Sequence, residues 1–373
     1  MSDSSSPVLF EERKTQDGKN AIGVATLNAP KSLNSLTLEM IASLRGKLSE
    51  WKDRRDIAAI WLEGSGDKAF CAGGDIVKLF EAMKSQDQSY PQNFFEQEYS
   101  LDLSIHQLHK PVIVWGDGVV MGGGMGLMQG AKFRIVTERT TIAMPEITIG
   151  LYPDVGASYF LHKCPKPFGL FEALTGARLN STDALKMNFA DYFVPASEKS
   201  EVFTRLLQQS YKPTDEQNMM IVTDVLMNLP DAYAQQMPES MLDKHGAWIA
   251  KTFSKPRLSE IDASLRAHTT EDKWLSRSIA AYKGGSPTSA SLIFEQLRRS
   301  QEWSLEEAFQ NELAMSARCA LSGEFLEGVR ALLIDKDNQP RWIRPTLAEV
   351  TSEDVAKHFT MPNGKTLELR WMI

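Results

Sequence analysis

Short apolar segments alternate with amphipathic ones along the first 200 residues, and this alternation constrains the fold more than any other feature of the sequence. Strand-like and helix-like runs follow one another in this order: strand 20–30, helix 36–54, strand 57–66, loop and helix 68–83, helix 89–108, strand 110–120, and strand 133–138. Strands that alternate with helices predict an α/β fold in which the strands are buried between layers. Beyond about residue 200 the sequence is polar and helix-like.

We therefore expect a core over residues 1–205 and a mainly helical C-terminal region over 206–373. The 373 residues suffice for two domains of ordinary size. A hydrophobic content of 42% and a charged content of 24% are typical of globular proteins. The net charge of −7 does not favour nucleic acid as a partner, because a phosphate backbone calls for a basic face.

Three features of the sequence indicate where in the cell the protein is expected: its cysteines, its N-terminus and the length of its apolar segments. Cys71, Cys164 and Cys319 are far apart and form no CxxC or Cys/His cluster, so no metal site is expected and a reducing compartment is favoured. The N-terminal residues lack the apolar stretch of a secretory signal. No segment approaches the roughly 20 apolar residues of a membrane span. We expect a cytoplasmic protein.

A dense glycine cluster, GVVMGGGMGLMQGA at 118–131, directly follows an apolar run. Glycine in an ordinary helix or strand costs about 0.5–1 kcal/mol, so this density indicates a backbone that something approaches closely. A second pair, in AGGD at 72–75, lies at a similar junction. Two N–H groups at neighbouring helix starts can donate to one oxygen and form an oxyanion hole. The simpler alternative is that each junction is a packing turn.

Two acidic residues each stand alone in an apolar frame, Glu146 in AMPEITIG and Asp154 in GLYPDVGAS. A buried carboxylate is costly unless it is paired or functional. Their spacing, across a loop that contains Gly150, allows both to face one pocket. An N-cap or a salt bridge is the structural alternative. Glu98 lies on a predicted helix and, taken by itself, is expected on a solvated face.

Common signatures of other chemistries do not occur in the sequence. It has no GxxxxGK[ST] phosphate-binding loop and no GxSxG serine elbow. The glycine cluster does not satisfy GxGxxG, the pattern that binds dinucleotides. These observations argue against a P-loop nucleotidase and against a serine hydrolase.

Four motifs together resemble those of the crotonase, or enoyl-CoA hydratase/isomerase, superfamily. They are KAFCAGGDI, MGGGMGL, MPEITIGLYPDVGASYFL and LTGARL with the DAL that follows it. The chain is most similar to the 3-hydroxyisobutyryl-CoA hydrolase subgroup, because NAPKSLNSLTLEM, GSPTS and EFLEGVRALLIDKDNQPRW also fit it. The resemblance extends over about residues 8–345, and PE..IGL.PDVG..YFL is its most specific block.

The resemblance implies a crotonase-like spiral of ββα/βαβ turns that binds an acyl-CoA thioester. In the superfamily two backbone N–H groups polarise the thioester carbonyl, and the matching positions here are Gly74 and Gly123. By the same matching, Glu146 is the base or nucleophile. Asp154 holds the 3-hydroxyl group of the substrate or positions water, and Glu98 is another acid that contacts the substrate.

The resemblance also implies what the site binds. Coenzyme A enters as part of the substrate, so no separate cofactor is expected. Lys31, in NAPKSLN, is a candidate for binding coenzyme A, because this loop meets the adenine in the superfamily. We expect a homo-oligomer, with neither nucleic acid nor membrane as a partner.

Position 126 separates the candidate activities. Hydratases of the superfamily carry a glutamate three residues after the oxyanion-hole glycine, and this chain has Gly126 there. The expected activity is therefore hydrolysis of a short 3-hydroxyacyl-CoA, 3-hydroxyisobutyryl-CoA first, as in valine breakdown. An enoyl-CoA hydratase or isomerase that uses Glu146 alone is the alternative. A non-catalytic acyl-CoA-binding protein is the second alternative.

Overall fold

A computed structural model describes residues 6–362 of the chain, and within this range nine strands form two sheets. In chain order the strands are β1 (Val8–Lys14), β2 (Ala21–Leu27), β3 (Ile57–Gly64), β4 (Ala69–Cys71), β5 (Val112–Gly116), β6 (Val119–Met121), β7 (Phe133–Val136), β8 (Thr141–Ala143) and β9 (Tyr192–Phe193). All nine lie in the first 193 residues, as the alternating pattern predicts.

Sixteen α-helices occur in the same described range, and those from α8 onward follow the last strand. They are α1 (Leu38–Asp53), α2 (Ile76–Lys84), α3 (Ser89–Gln107), α4 (Gly123–Gly130), α5 (Ala157–Phe160), α6 (Phe168–Thr175), α7 (Ser181–Lys186), α8 (Lys199–Leu207), α9 (Asp215–Met227), α10 (Met241–Phe253), α11 (Leu258–Ala267), α12 (Lys273–Gly284), α13 (Pro287–Arg299), α14 (Leu305–Ser322), α15 (Glu324–Val329) and α16 (Ser352–Ala356). The expected α/β class with a helical C-terminal region is confirmed.

The chain winds as a spiral between the two sheets. The larger sheet has the order β1-β2-β3-β5-β7-β9, and the smaller has the order β4-β6-β8. After an antiparallel β1–β2 hairpin, every pairing is parallel. Each turn of the spiral adds one strand to each sheet, first β3 and β4, then β5 and β6, then β7 and β8. The starts of the helices that follow β4 and β6 therefore lie side by side.

The central strands of the larger sheet, β2, β3 and β5, are buried on both faces. On one face Trp61 and Trp115 stack with ring centroids 5.7 Å apart, and α8 and α9 cover them with Val202 and Val222. The other face contributes residues such as Val114 to the main hydrophobic core. Burial on both faces explains why these strands are continuous apolar runs in the sequence.

Helix α1 shows how local sequence signals produce the elements around the sheet. The Thr37 side chain accepts a hydrogen bond from the Met40 N–H and so caps the helix. Ile41, Leu44 and Leu48 recur at helical spacing and are buried against the sheet. The predicted helix and its apolar face are confirmed.

The helices from α10 onward pack into the same main core as the strands. Phe253 of α10, Phe309 of α14 and Phe325 of α15 belong to the cluster that contains Val114. The predicted boundary between residues 205 and 206 falls inside α8. The division into two domains therefore stays a prediction. Every helix in residues 6–362 is too short or too polar to cross a membrane.

Candidate active site

The two glycine junctions meet in the structure. Gly73, with φ +113°, ends the segment after β4, and Gly122, with φ +48°, precedes α4. These backbone conformations are rare for residues with a side chain. A β-carbon placed on Gly122 lies 3.4 Å from Gly73 Cα, and one placed on Gly73 lies 3.9 Å from the Gly123 nitrogen. The two junctions therefore lie next to each other, close enough that a side chain on one would touch the backbone of the other.

A cavity of about 920 Å³ opens beside this contact. The five predicted catalytic or substrate-contacting residues that line it are Gly74, Gly123, Glu98, Glu146 and Asp154. Apolar side chains form much of the remaining wall: Ile76, Leu79, Phe94, Phe95, Ile149, Leu151, Leu332 and Leu333. The structure therefore brings together every predicted catalytic residue, whereas Lys31 does not line the cavity. Hydrophobic walls around a few polar groups are typical of ligand sites.

Glu98 reaches both helix starts from α3. Its Oε1 lies 3.6 Å from the position of a β-carbon on Gly74 and still closer to that of a β-carbon on Gly123. The side chain is only 3% exposed, so its expected place on a solvated face, when taken by itself, is wrong. Helix α14, from the distant C-terminal region, packs along α3 and helps to bury it.

Glu146 begins the short 3₁₀ turn Glu146–Ile149, which C-terminal segments hold in place. Ser286 N–H donates to the Ile147 carbonyl at 3.1 Å. On the other side α15 approaches so closely that a β-carbon on Gly328 would overlap the Ile149 backbone. The Glu146 Oε1 atom lies 3.4 Å from the position of a β-carbon on Gly122. A fixed turn therefore places this carboxyl beside the glycine junctions.

Asp154 faces the same cavity from the loop before α5. It is 4% exposed, and its Oδ2 accepts a hydrogen bond from the Tyr99 hydroxyl at 2.5 Å. Within residues 6–362, by contrast, Glu98 Oε1 and Glu146 Oε2 are buried without a hydrogen-bond partner. Buried polar atoms are normally satisfied, so these oxygens are candidates for contact with a ligand.

Burial and mutual repulsion set the protonation of the three acids. Loss of hydration raises the pKa of Glu98 and of Glu146 well above the usual range, and the negative charge of Asp154 raises both further. For Asp154, burial raises the pKa to about 6, while the hydrogen bond from Tyr99 acts in the opposite direction. Asp154 is therefore the acid that ionises first as the pH rises.

The space around Gly126 is already occupied. A β-carbon placed on this α4 residue lies 2.7 Å from Cγ and 2.8 Å from Oδ1 of Asp102, which is too close for either. Asp102 comes from α3, is fully buried and does not line the cavity. The glutamate of the hydratases is thus absent at position 126, and a neighbouring carboxyl blocks any side chain there.

Three cations at the cavity are not among the residues predicted from the sequence. Arg178, Lys273 and Arg277 line it and have exposed side chains. Arg178 belongs to the LTGARL motif, which could have identified it as a candidate site residue. Lys273 and Arg277 are four residues apart on α12, and only the packing of that helix against the site brings them there. Lys31 lies on the exposed turn Pro30–Ser32.

Comparison with known proteins places this site in a family. The family profile for enoyl-CoA hydratase/isomerase matches residues 22–359. The chain is 36% identical over 368 residues to mitochondrial 3-hydroxyisobutyryl-CoA hydrolase of Gallus gallus, covering 98% of this chain and 92% of that protein. It is 38% identical to the Danio rerio protein of the same name, with the same two coverages.

Solved structures agree in fold. A carnitinyl-CoA dehydratase from Mycobacterium thermoresistibile superposes with a TM-score of 0.84 at 32% identity, over 98% of this chain and 99% of that one. An enoyl-CoA hydratase from Rhodobacter sphaeroides 2.4.1 gives 0.81 at 31% identity, over 96% and 98%.

The spiral fold and the paired glycine junctions are thus those of the enoyl-CoA hydratase/isomerase family, to which this chain belongs. Within that family its sequence is similar, over nearly its whole length, to the 3-hydroxyisobutyryl-CoA hydrolases. The resemblance found in the motifs is confirmed.

The overlap at position 126 predicts a measurable coupling between Gly126 and Asp102. Gly126→Ala should lower the free energy of unfolding by about 1–3 kcal/mol, as overpacking does in other cores. In the Asp102→Ala background the same substitution should cost much less, because the overlapping carboxyl is gone. Denaturant unfolding of the four proteins of this double-mutant cycle gives the coupling.

A matched control uses another helical glycine. Gly46, in α1, has no atom within 4 Å of an added β-carbon, so Gly46→Ala should leave stability unchanged or raise it by up to about 1 kcal/mol. An equal cost of Gly126→Ala with and without the Asp102 carboxyl would show that the two residues do not compete for space.

Proposed function

We propose that this chain hydrolyses the thioester of 3-hydroxyisobutyryl-CoA to 3-hydroxyisobutyrate and coenzyme A, a step of valine breakdown. The single observation that carries this proposal is that Glu146 and Asp154 face one cavity with two glycine helix starts, while position 126 bears no carboxylate. The similarity to proteins named 3-hydroxyisobutyryl-CoA hydrolase supports the choice of substrate.

The N–H groups of Gly74 and Gly123 are the proposed donors to the thioester oxygen. Fixed backbone donors stabilise the negative charge that develops there as the carbonyl carbon is attacked. Gly123 is the first residue of α4, so the dipole of that helix adds to the effect. Glu98 lies beside both glycines, where its negative charge would repel the oxyanion. Its raised pKa favours the protonated form, which can instead donate a hydrogen bond to the substrate.

Glu146 is the proposed nucleophile or base, which gives two possible routes for the hydrolysis. In the first, its carboxylate, the form that burial disfavours, attacks the carbonyl carbon, the C–S bond breaks, and water then cleaves the mixed anhydride. In the second, it takes a proton from a water molecule that attacks the carbonyl directly. In either route coenzyme A leaves as a thiolate and is then protonated. A thiol with a pKa of about 8.5 needs no strong acid to leave.

Asp154 is the proposed partner of the substrate's 3-hydroxyl group. An ionised carboxylate accepts a hydrogen bond from a hydroxyl, and a site built for that bond discriminates against an analogue that lacks the group. Asp154 ionises more readily than the other two cavity acids, which suits it to this role.

The phosphates of coenzyme A are proposed to lie near Arg178, Lys273 and Arg277. Exposed cations at the cavity suit a ligand that carries several negative charges. Binding by Lys31 stays a prediction. So do the homo-oligomer and the cytoplasmic location, while the hydrolases similar to this chain carry the word mitochondrial in their names.

Enoyl-CoA hydration is the second candidate, because the two solved structures with TM-scores above 0.8 are named as a hydratase and a dehydratase. Addition of water to an enoyl-CoA in the hydratase manner uses two carboxylates, one of them at the position of Gly126. Asp102 occupies the space of that side chain but does not reach the cavity. Hydrolysis is therefore the better fit.

Two assays on the purified protein separate these activities. We expect rapid release of free thiol from 3-hydroxyisobutyryl-CoA and little loss of the enoyl absorbance of crotonyl-CoA. Efficient hydration of crotonyl-CoA with no thiol release would overturn the hydrolase proposal in favour of the second candidate. Binding of both esters without turnover would indicate an acyl-CoA-binding protein.

Glu146→Gln should lower kcat for thiol release by at least about 10²-fold, because it keeps the shape of the side chain but removes the base or nucleophile. Binding of the acyl-CoA, measured by calorimetry, should be retained. Glu172→Gln is the matched control. Glu172 is also fully buried but does not line the cavity, and its Oε1 accepts a hydrogen bond from Met144 N–H, which a glutamine oxygen can also accept. Thiol release by Glu146→Gln at the rate of this control would assign Glu146 a structural role.

Asp154→Asn should change substrate preference. We expect kcat/KM for 3-hydroxyisobutyryl-CoA to fall about 10-fold more than kcat/KM for isobutyryl-CoA, since only the first substrate has a hydroxyl for Asp154 to accept from. The ratio of the two values in wild type and variant is the measurement. An equal fall for both substrates would mean that Asp154 serves the chemical step rather than recognition of the hydroxyl.

A further inference from the structure

A chain of buried hydroxyl groups connects Asp154 to the C-terminal helices. Tyr99 OH donates to Asp154 Oδ2 at 2.5 Å and lies 2.6 Å from Ser316 Oγ. The same Ser316 oxygen lies 2.8 Å from Tyr152 OH, which donates to the Glu312 carbonyl at 2.6 Å. Ser316 and Glu312 are on α14, about 160 residues beyond Asp154 in sequence. The chain thus joins the α3 side of the cavity to the C-terminal region.

The number of hydroxyl hydrogens limits the direction of these bonds. Tyr99 has one hydrogen and gives it to Asp154, so it accepts at its contact with Ser316. Tyr152 gives its own hydrogen to a carbonyl, so it cannot supply one to Ser316. Ser316 also has one hydrogen, so it can donate to only one of the two tyrosine oxygens. Donation from Ser316 to Tyr99 is the arrangement that goes with the Tyr99 hydrogen pointing at Asp154.

The network is buried. Tyr99, Tyr152 and Ser316 are fully buried, and none of them lines the cavity. Helix α14 also fixes the loop beyond Asp154, because the Glu312 carboxylate accepts from Gly156 N–H at 2.7 Å and from the N–H of the second residue after it at 2.8 Å. A buried network that satisfies its members in this way holds a side chain in one orientation.

We propose that Tyr99 is a positioning residue for Asp154: its hydroxyl engages Oδ2, leaves Oδ1 for the substrate, and keeps the carboxylate ionised under the control of Ser316. This inference rests on the proposed function in one respect, since it assumes that Asp154 meets the substrate as an acceptor. It assigns to the C-terminal region a part in the site, through α14.

The surroundings of Asp154 explain why such a donor is needed. The titratable groups that face it come from α3, from the 146–152 segment and from α14, and they are Glu98, Tyr99, Asp102, Glu146, Tyr152, Glu312 and Cys319. All are neutral or negative in their ordinary states. Burial raises the pKa of Asp154, and the Tyr99 hydrogen bond is the side-chain contact that lowers it.

Tyr99→Phe tests the proposal through the pH dependence of thiol release. The ring stays, with its packing against Phe95 and Phe309 at 5.8 and 5.9 Å, and only the hydroxyl is lost. Without that donor the ionised form of Asp154 is less stable, so its pKa rises. In the pH profile of kcat/KM for 3-hydroxyisobutyryl-CoA, the fall toward low pH contains the ionisation of Glu146 and, at lower pH, that of Asp154. We expect the Asp154 step, the acidic limb, to move up by about one pH unit, the size expected for a hydrogen bond to a charged group.

Two further variants distinguish a positioning role of Tyr99 from a general effect of removing a buried hydroxyl group. Ser316→Ala should move the acidic limb in the same direction by a smaller amount, because Tyr99 loses the donor that orients it. Tyr211→Phe removes another buried tyrosine hydroxyl, in the core under α8 and α9, and should leave the limb in place. An unmoved limb in folded Tyr99→Phe, or an equal shift in Tyr211→Phe, would overturn the proposal.

A spectroscopic titration keeps this test independent of the activity. In protein labelled with ¹³C at aspartate carboxyls, the Asp154 resonance is identified by its loss in Asp154→Asn. Its midpoint should lie about one pH unit higher in Tyr99→Phe than in wild type, and an unchanged midpoint would refute the role of Tyr99. If wild type releases no thiol, the proposed function fails, while this titration still decides the inference. Should Tyr99→Phe not fold, the smaller shift in Ser316→Ala decides it instead.

Discussion

The contact between Gly73 and Gly122 is the constraint on which the rest of the site depends. Each residue has a positive φ, and a β-carbon added to either one would touch the backbone of the other junction. A side chain at either position would strain the turn, and one at Gly122 would also contact Glu146. The spiral makes this contact possible, because successive turns place β4 and β6 next to each other in the small parallel sheet.

The carboxyl groups that surround the two helix starts are buried at a cost in free energy. Glu98, Asp102, Glu146 and Asp154 all lie within a region from which water is largely excluded, and like charges there raise one another's pKa. The fold offsets part of this cost through the Tyr99 hydrogen bond to Asp154. Helix α14 contributes to both effects. It helps to bury the acids of α3, and it carries Ser316, which contacts Tyr99.

Much of the fold and of the candidate site was predictable from local patterns. Apolar runs with turn residues between them predicted the strands. Thr37 and the spacing of Ile41, Leu44 and Leu48 indicate helix α1. The two glycine junctions indicated a backbone of unusual conformation. Glu146 and Asp154 stood out because each is a lone acid in an apolar frame. Glu98 has no such local signature, since it lies among the polar residues of FFEQEYS, and the helices that pack around α3, namely α1, α4 and α14, bury it.

The sequence by itself determined the order of strands and helices, the family, and the absence of a carboxylate at position 126, because these depend on residue type and spacing alone. Only the tertiary structure decided that Asp102 fills the space beside Gly126, that Arg178, Lys273 and Arg277 meet at the cavity, and that Ser316 reaches Tyr99. Apart from Lys273 and Arg277, which share α12, the residues brought together are from 24 to more than 200 positions apart. No local periodicity encodes which side chains meet when α3, α4, α12 and α14 pack together.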